Sequence, residues 1–232
     1  MRFVYIATVV LLTAGGLALA WLLIDPAPPD RIRLATGTAG GFYDNLGDRF
    51  AWNLRGHGLD VELVETAGSV ENLSLLEGED PVDAAFIQGG VGYPPPESTP
   101  LRSLASLAIE PFWVFSRSEG NLTDLFSRPG LRLAAGGEGS GTRVLVEDVL
   151  QLMGYTNTVT LLEIGGKEAA DALLADQVDA VATVTAAQSP WVEELLRAPG
   201  VKIVDAEHVD AIARRFPFAY RVDLPARVFD FR

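Results

Sequence analysis

Short strand-like segments that alternate with segments of helical periodicity constrain the fold of this chain more than any other feature of its sequence. Residues 31–35 are typical of a strand, and a glycine-rich loop at residues 36–41 follows them. Four apolar residues then recur at the spacing of one helical face: Phe42, Leu46, Phe50 and Leu54. Strands that are each followed by a loop and a helix in this way predict an α/β fold with parallel strands.

The alternation continues along the rest of the chain. Further strands are predicted at residues 59–65, 84–88, 131–135, 158–162, 178–184 and 201–204. Further helices are predicted to begin near Ser69 and Thr142 and at residues 167–174, 190–196 and 206–214. Residues 84–87 are wholly apolar, so we expect the strand 84–88 to be buried on both faces. In the helix after Thr142, the expected buried positions are Val144, Leu145, Val149 and Leu152.

A proline divides the alternating region into two lobes. Glu110 and Pro111 separate the apolar stretches 101–109 and 112–115, and proline interrupts a continuous strand or helix. We therefore predict a crossing between lobes at this point. The predicted bounds are 31–109 for the first lobe, 110–205 for the second, and 206–232 for an incomplete segment returning towards the first.

A short internal repeat is consistent with two lobes of similar construction. A leucine pair, a turn and the tripeptide Val-Asp-Ala occur at residues 75–84 and again at residues 173–180. Each copy is typical of a helix end followed by a turn and a buried strand. The match is short enough to arise by chance.

The N-terminus carries a separate signal. Residues 3–24 contain no charged side chain, and a helix of that length is roughly 33 Å long, which is sufficient to cross a ~30 Å hydrocarbon core. A cleaved signal peptide is the alternative, because Ala18-Leu19-Ala20 resembles a cleavage site. The apolar run continues past that site to Ile24, which favours an uncleaved anchor over residues 1–24, followed by a proline-rich spacer at 25–30.

The position of charge at this end predicts where the body resides. Arg2 precedes the apolar run, and Asp25 follows it. Because the basic end of such a helix stays cytoplasmic, we expect the body on the periplasmic face of the membrane. It would be anchored there by the helix, or secreted to the periplasm if the segment is cleaved.

Composition excludes several classes of function. The chain has no cysteine and only two histidines, which argues against disulfides, cysteine–zinc sites, iron–sulfur clusters and thiol catalysis. Its net charge of −13 argues against binding to a nucleic-acid backbone. We therefore expect no metal, no cofactor and no nucleic-acid partner.

Three glycine-rich loops lie where a strand meets a helix, at residues 36–41, 66–69 and 136–142. Free backbone N–H groups at helix starts bind anions, and serine and threonine hydroxyls add donors. The alternative is that the same residues only cap their helices. No enzyme is predicted: loop 136–142 has Thr142 where a P-loop has lysine, and its Gly-x-Gly-x-Gly pattern lacks a central nucleophilic serine.

Several short motifs together resemble the TAXI-type solute-binding receptors of TRAP transporters. The first two are Thr36-Gly37-Thr38-Ala39-Gly40-Gly41-Phe42-Tyr43 and Thr66-Ala67-Gly68-Ser69-Val70-Glu71-Asn72-Leu73. The others, in the same order as in the family, are residues 83–88, 110–115, 139–142, 177–180, 215–218 and 224–225. The resemblance covers roughly residues 31–231.

This resemblance implies a two-lobed, type II periplasmic-binding-protein fold behind one N-terminal transmembrane helix. It implies a non-catalytic receptor that captures a small organic anion or acidic amino acid and presents it to a TRAP-type membrane permease. A tethered sensory module of the same fold, not coupled to transport, is the alternative. The ligand-contacting residues that it implies are Thr36, Thr38, Gly41, Tyr43, Ser69, Gln88, Glu110, Ser140, Gly141 and Thr142.

Some of these roles have alternatives within the sequence itself. Glu110 is placed either to meet an amino group or to serve a structural role, and Tyr43 either to contact ligand or to pack at the cleft lip. Arg143 would pair with a ligand carboxylate if it faced the cleft, or lie on the helix surface. The family continues beyond the segment around Leu224 and Pro225, so the resemblance also predicts that this chain is truncated at its C-terminus.

Overall fold

The computed structural model of this chain describes residues 2–23, 29–93, 99–207 and 209–223. It comprises two units, Met1–Asp30 and Arg31–Arg232. The first contains α1 (Arg2–Leu23), which is long and apolar enough to cross a membrane, a property that it shares with signal sequences at the same position. Most of the predicted spacer, His208 and the motif at residues 224–225 lie outside the described residues.

The second unit begins with a small parallel sheet. Its elements are β1 (Arg31–Ala35), α2 (Phe42–Arg55), β2 (Asp60–Val64), α3 (Ser69–Glu77) and β3 (Ala84–Ala85). The strand order is β2-β1-β3, and β1 pairs in parallel with both neighbours. Consecutive parallel strands joined by helices are what the alternation predicted.

A larger mixed sheet follows. Its elements are β4 (Phe112–Ser116), α4 (Leu122–Phe126), β5 (Leu131–Ala134), α5 (Gly141–Met153), β6 (Val159–Leu162), α6 (Gly166–Leu174), β7 (Ala180–Val184), α7 (Pro190–Arg197), β8 (Lys202–Ile203) and α8 (Val209–Arg215). The strand order is β6-β5-β7-β4-β8. Strand β5 is parallel to β6 and β7, whereas β4 runs antiparallel to β7 and β8. The predicted α/β fold class is confirmed.

The two sheets contain the same unit, and the Val-Asp-Ala repeat marks it. In each, a central strand has its sequence successor on one side and the third strand of the unit on the other. Asp83 accepts a hydrogen bond from the Arg33 amide at 2.8 Å and donates its own amide to the Arg33 carbonyl at 3.0 Å. Asp179 makes the same pair of contacts with Arg132, at 2.8 and 2.9 Å. The sequence repeat therefore corresponds to one structural position used twice.

Most of the hydrophobic core belongs to the larger sheet. One face carries a cluster around Phe126, Leu133 and Leu150, and the other carries a cluster around Phe115 and Leu195. The buried cluster of the small sheet is limited to four residues, which are Leu34, Ala51, Val61 and Phe86. The small sheet therefore depends more on polar contacts for its order.

Two details of the secondary structure differ from prediction. The strand predicted over 84–88 is limited to Ala84–Ala85, because the Phe86 carbonyl and the Gln88 amide bond to side chains of α3 rather than to a strand. In α5, Val144 and Leu152 are 38% and 44% exposed. The face of α5 packed on the sheet instead contains Val146, Val149 and Leu150, which follow the i, i+3, i+4 spacing from a different starting point.

The segment after β8 contacts both halves of this unit. Phe216, just after α8, is buried in the core of the larger sheet, and Ile212 packs beside it. Phe218 lies against the loop that follows β3, with its ring 6.0 Å from that of Tyr93. The predicted return segment thus starts on the larger sheet, and its end lies beyond the described residues.

A buried side-chain amide joins the ends of all three strands in the small sheet. Asn72 of α3 is fully buried and donates to the carbonyl oxygens of Thr36 at 2.6 Å and Phe86 at 2.8 Å. Its Oδ1 accepts from the Thr66 hydroxyl at 2.6 Å. Thr36 and Phe86 directly follow β1 and β3, and Thr66 lies two residues beyond the end of β2, so one amide fixes the relative positions of three strand ends.

Replacing Asn72 with alanine is expected to lower the free energy of unfolding by about 3 kcal/mol, because it leaves two buried carbonyls and a hydroxyl without their partner. Urea denaturation of the detergent-solubilised full chain measures the change. Asn53→Ala on α2, where the side chain is exposed, is the matched control and should change stability by less than about 0.5 kcal/mol. Equal effects of the two substitutions would show that Asn72 does not have this role.

Candidate ligand-binding cleft

A cleft of about 970 Å³ lies within the second unit, between the small sheet and the larger one. The small-sheet side contributes the start of α2 and the segment from Ala85 to Gly89. The other side contributes residues 109–113, positions on α5 and α8, and the segment after α8. Its size is in the range of pockets that enclose small molecules.

A half-buried acid and a half-buried phenol meet in the wall of this cleft. Tyr43, in the first turn of α2, donates its hydroxyl to Glu110 Oε2 at 2.8 Å. Glu110 directly precedes Pro111 and β4, where the predicted crossing between lobes lies. It has no salt bridge with any basic side chain in the described part of the chain.

Burial perturbs both groups of this pair. It raises the pKa of Glu110 from 4.5 to about 7, and the hydrogen bond from Tyr43 opposes the rise. Burial, and then the neighbouring carboxylate charge, raise the pKa of Tyr43 well above its ordinary value, while a hydrogen bond with Ser69 opposes the rise. Tyr43 therefore remains protonated, and Glu110 changes charge near neutral pH.

Two further aromatic rings flank the tyrosine of this pair. The Tyr43 ring lies 5.5 Å from that of Phe86 and 5.9 Å from that of Phe42, measured between centroids. All three rings line the cleft. The wall beside Glu110 is thus largely apolar and π-rich.

The remaining charges of the cleft lie at exposed positions. Its described lining contains Asp205, Asp223 and Arg221 in addition to Glu110. Arg221 donates to Asp223 at 2.7 Å and lies 3.8 Å from Asp210, so its charge is already compensated. Acidic groups therefore outnumber basic groups in the lining by three to one.

Of the residues singled out in the sequence, the structure places Tyr43, Gln88 and Glu110 in the cleft lining. Gln88 is buried, and its Nε2 donates to the Gly141 carbonyl at 3.1 Å, from one side of the cleft to the other. A Cβ on Gly141 would lie 2.8 Å from Gln88 Oε1, so only glycine fits there without a shift. The backbone N–H of Gln88 also donates to the Ser69 hydroxyl at 2.8 Å.

The other predicted residues lie outside the described lining and make contacts within the fold. The Thr36 hydroxyl donates to the Val64 carbonyl, the Thr38 carbonyl accepts from Gly41, Ser140 caps α5, and the Thr142 hydroxyl accepts from Val184. Ser69 and Gly141 contact Gln88 as described above. As ligand contacts, these residues stay predictions.

Several backbone donors in or next to the three glycine-rich loops bond to groups of the protein itself. In the first loop, Gly40 donates to Asp44 at 2.8 Å. At the second, the amide of Val70 donates to the Gly139 carbonyl of the third loop at 2.9 Å. In the third, the Ser140 hydroxyl accepts from the Arg143 amide. In this conformation the loops act as helix caps and as a contact between the two halves.

The structure places Arg143 neither in the cleft lining nor fully exposed on the helix surface, the two alternatives that its sequence position left open. Its side chain is 18% exposed, and its Nε pairs with Glu147 one turn along α5 at 2.6 Å. Its Nη1 is buried and has no hydrogen-bond partner in the described part of the chain. It is not among the residues that line the cleft.

Sequence reasoning missed much of the apolar lining. Phe86, Phe112, Phe216 and Phe218 all line the cleft, and they come from three separate segments. The stretch 101–109 was recognised as apolar, but it is irregular and Leu104 is 87% exposed. In the described residues no cluster of acidic or histidine side chains is arranged to hold a metal ion.

Glu110 should make stability fall as pH rises. Between its ordinary pKa of 4.5 and its folded pKa of about 7, the folded chain retains a proton that the unfolded chain has released, so the free energy of unfolding decreases with rising pH. The loss is on the order of 3 kcal/mol. Glu110→Gln should remove this component, so that variant and wild type diverge between pH 4.5 and 7.

Urea denaturation across that pH range measures the difference between the two proteins. Glu138→Gln, at an exposed position, is the matched control and should run parallel to wild type. A Glu110→Gln curve that also runs parallel would contradict the burial of a titrating carboxylate.

Two solved structures have a similar arrangement of elements. A protein from Archaeoglobus fulgidus superimposes with a TM-score of 0.52 at 18% identity over 82% of this chain. The alkanesulfonate-binding protein SsuA from Xanthomonas axonopodis pv. citri, bound to MOPS, superimposes with a TM-score of 0.50 at 18% identity over 83%. This chain spans 64% of the Archaeoglobus protein and 70% of SsuA.

At this level of identity the likeness establishes the fold, which is the two-lobed α/β fold of periplasmic binding proteins. The sequence itself establishes the family. Residues 34–230, which include every described residue of the cleft and both sheets apart from the first three residues of β1, match the model of one family. The chain belongs to the NMT1-like family.

Proposed function

We propose that this chain is an extracytoplasmic solute-binding receptor that encloses a small molecule between its two lobes and presents it to a TRAP-type permease. The observation that supports this most is the cleft of about 970 Å³ between the two sheets, with a half-buried acid–phenol pair in an aromatic wall. Pockets with an apolar lining and a few converging polar groups are typical of small-molecule sites. The proposal includes no catalytic step.

In this proposal the lobes are residues 31–109 and 110–205, and α1 anchors the receptor at the periplasmic face of the membrane. Tyr43, Gln88 and Glu110 contact the solute directly. The glycine-rich loops keep the two lobes in register, since Gln88 and Val70 of the first lobe bond to Gly141 and Gly139 of the second. Membership of the TAXI branch and coupling to a TRAP permease rest on the motif resemblance.

The expected ligands are organic acids or acidic amino acids, in line with that resemblance. The acidic lining of the cleft favours the second class over the first, because an amino acid brings an ammonium group along with its carboxylates. A ligand with carboxylates alone would have to approach Glu110 and Asp205 without compensation.

Binding should stabilise the full-length chain. Thermal unfolding of the detergent-solubilised protein against amino acids, keto acids and dicarboxylates should reveal at least one solute that raises the melting temperature. Each tenfold increase in its concentration above the dissociation constant adds about 1.4 kcal/mol.

A cleft-filling variant locates the site. Gly89 lines the cleft, has no positive φ, and a Cβ there would have no atom within 4 Å, so Gly89→Trp introduces an indole into open space. It should abolish the ligand-dependent shift, whereas Asn53→Trp on the exposed face of α2 should retain it. No stabilisation by any solute, or an unchanged shift in Gly89→Trp, would overturn the proposal.

A further inference from the structure

We infer that the cleft selects solutes with a protonated primary amine on an apolar body, and that Glu110 is the acceptor of that amine. The inference rests on the proposed solute-binding function and specifies the chemistry of its ligand. It is carried by the position of Glu110, by the rings beside it and by the charges of the cleft.

The charge of Glu110 has no basic partner among the described residues. Its carboxylate lies in a largely apolar wall and bonds to the neutral hydroxyl of Tyr43 through Oε2. Its second oxygen, Oε1, forms no hydrogen bond to any described residue. A carboxylate removed from water is stabilised far more by a cation and its N–H donors than by a phenol alone.

The described lining of the cleft offers no unpaired basic side chain as the source of that cation. The basic residue in the described lining is Arg221, and it is already paired with Asp223 and Asp210. The orphaned Nη1 of Arg143 does not supply the charge, since Arg143 lies outside the lining and pairs with Glu147. Among the described residues of the lining no free cation is left to compensate Glu110, and we assign that charge to the solute.

The aromatic residues of the cleft wall also favour an amine. The rings of Phe42 and Phe86 flank the ring of Tyr43, whose hydroxyl bonds to Glu110, with centroid separations of 5.5 to 5.9 Å. Aromatic faces attract ammonium groups, and they also pack against apolar bodies. A carboxylate with an adjacent ring thus recognises an amine, whereas it repels a carboxylate group placed at the same position in the cleft.

Three probes of similar size and shape differ in charge and therefore test which charge the cleft prefers in a solute. They are 2-phenylethylamine, 2-phenylethanol and phenylacetate. At pH 8 the amine is protonated and Glu110, with a pKa of about 7, is mostly ionised. Calorimetric titration of the detergent-solubilised full chain should show the amine binding about tenfold more tightly than the alcohol, and the carboxylate more weakly than the alcohol.

Glu110→Gln should reduce affinity for the amine to within about threefold of the alcohol and leave affinity for the alcohol unchanged. Glu138→Gln removes one charge at an exposed position away from the cleft, and it should preserve the preference for the amine. Loss of the preference in both variants would indicate a general effect of net charge and would overturn the assignment to Glu110.

The outcomes also distinguish this inference from the proposed function. If dicarboxylates or keto acids stabilise the chain while the amine binds no better than the alcohol, the receptor function stands and the amine selectivity is wrong. If no solute binds at all, the proposed function fails and the inference fails with it.

Discussion

The small sheet depends on one side-chain amide. Asn72 of α3 holds the chain just beyond the ends of β1, β2 and β3, and those ends support the first-lobe wall of the cleft. Tyr43 follows β1, Ser69 follows β2, and Phe86 and Gln88 follow β3, so their relative positions are set by the same contact. The buried apolar cluster of this sheet holds four residues in the described part of the chain, so the sheet has little packing to replace that amide if it is lost. The geometry of the candidate site thus derives from a polar contact rather than from a hydrophobic core.

In this structure the glycine-rich loops take part in helix caps and in contacts between the two halves of the unit. Helix N-termini bind anions when their N–H groups are free, and here Asp44, Ser140 and the Gly139 carbonyl accept from some of the donors in or next to these loops. No residue of the three loops is in the described lining of the cleft, so in the proposed receptor recognition falls to the groups that are, namely Glu110, its partner Tyr43 and a set of aromatic rings. This shifts the expected ligand from a simple anion towards one that carries an amine.

Local patterns predicted most of the elements of this fold, because strand and helix periodicity depend on near neighbours. The Val-Asp-Ala repeat identified two equivalent positions, where the carboxylates of Asp83 and Asp179 accept hydrogen bonds from the backbone of the central strands of the two sheets. The prediction of a long strand at 84–88 was wrong because the Phe86 carbonyl and the Gln88 backbone N–H form hydrogen bonds with side chains of α3 and not with a neighbouring strand. The cleft was predicted only through Tyr43, Gln88 and Glu110, since Phe112, Phe216 and Phe218 are brought there by contacts distant in sequence.

The central claim is that a solute binds between the two lobes of this chain. Hydrogen–deuterium exchange of the full-length protein, with and without the solute that most stabilises it, tests that claim residue by residue. The account predicts slower exchange on both sides of the cleft, at residues 85–89 on one side and at 109–113 and 203–206 on the other. Protection confined to one side, or located away from these segments, would contradict it.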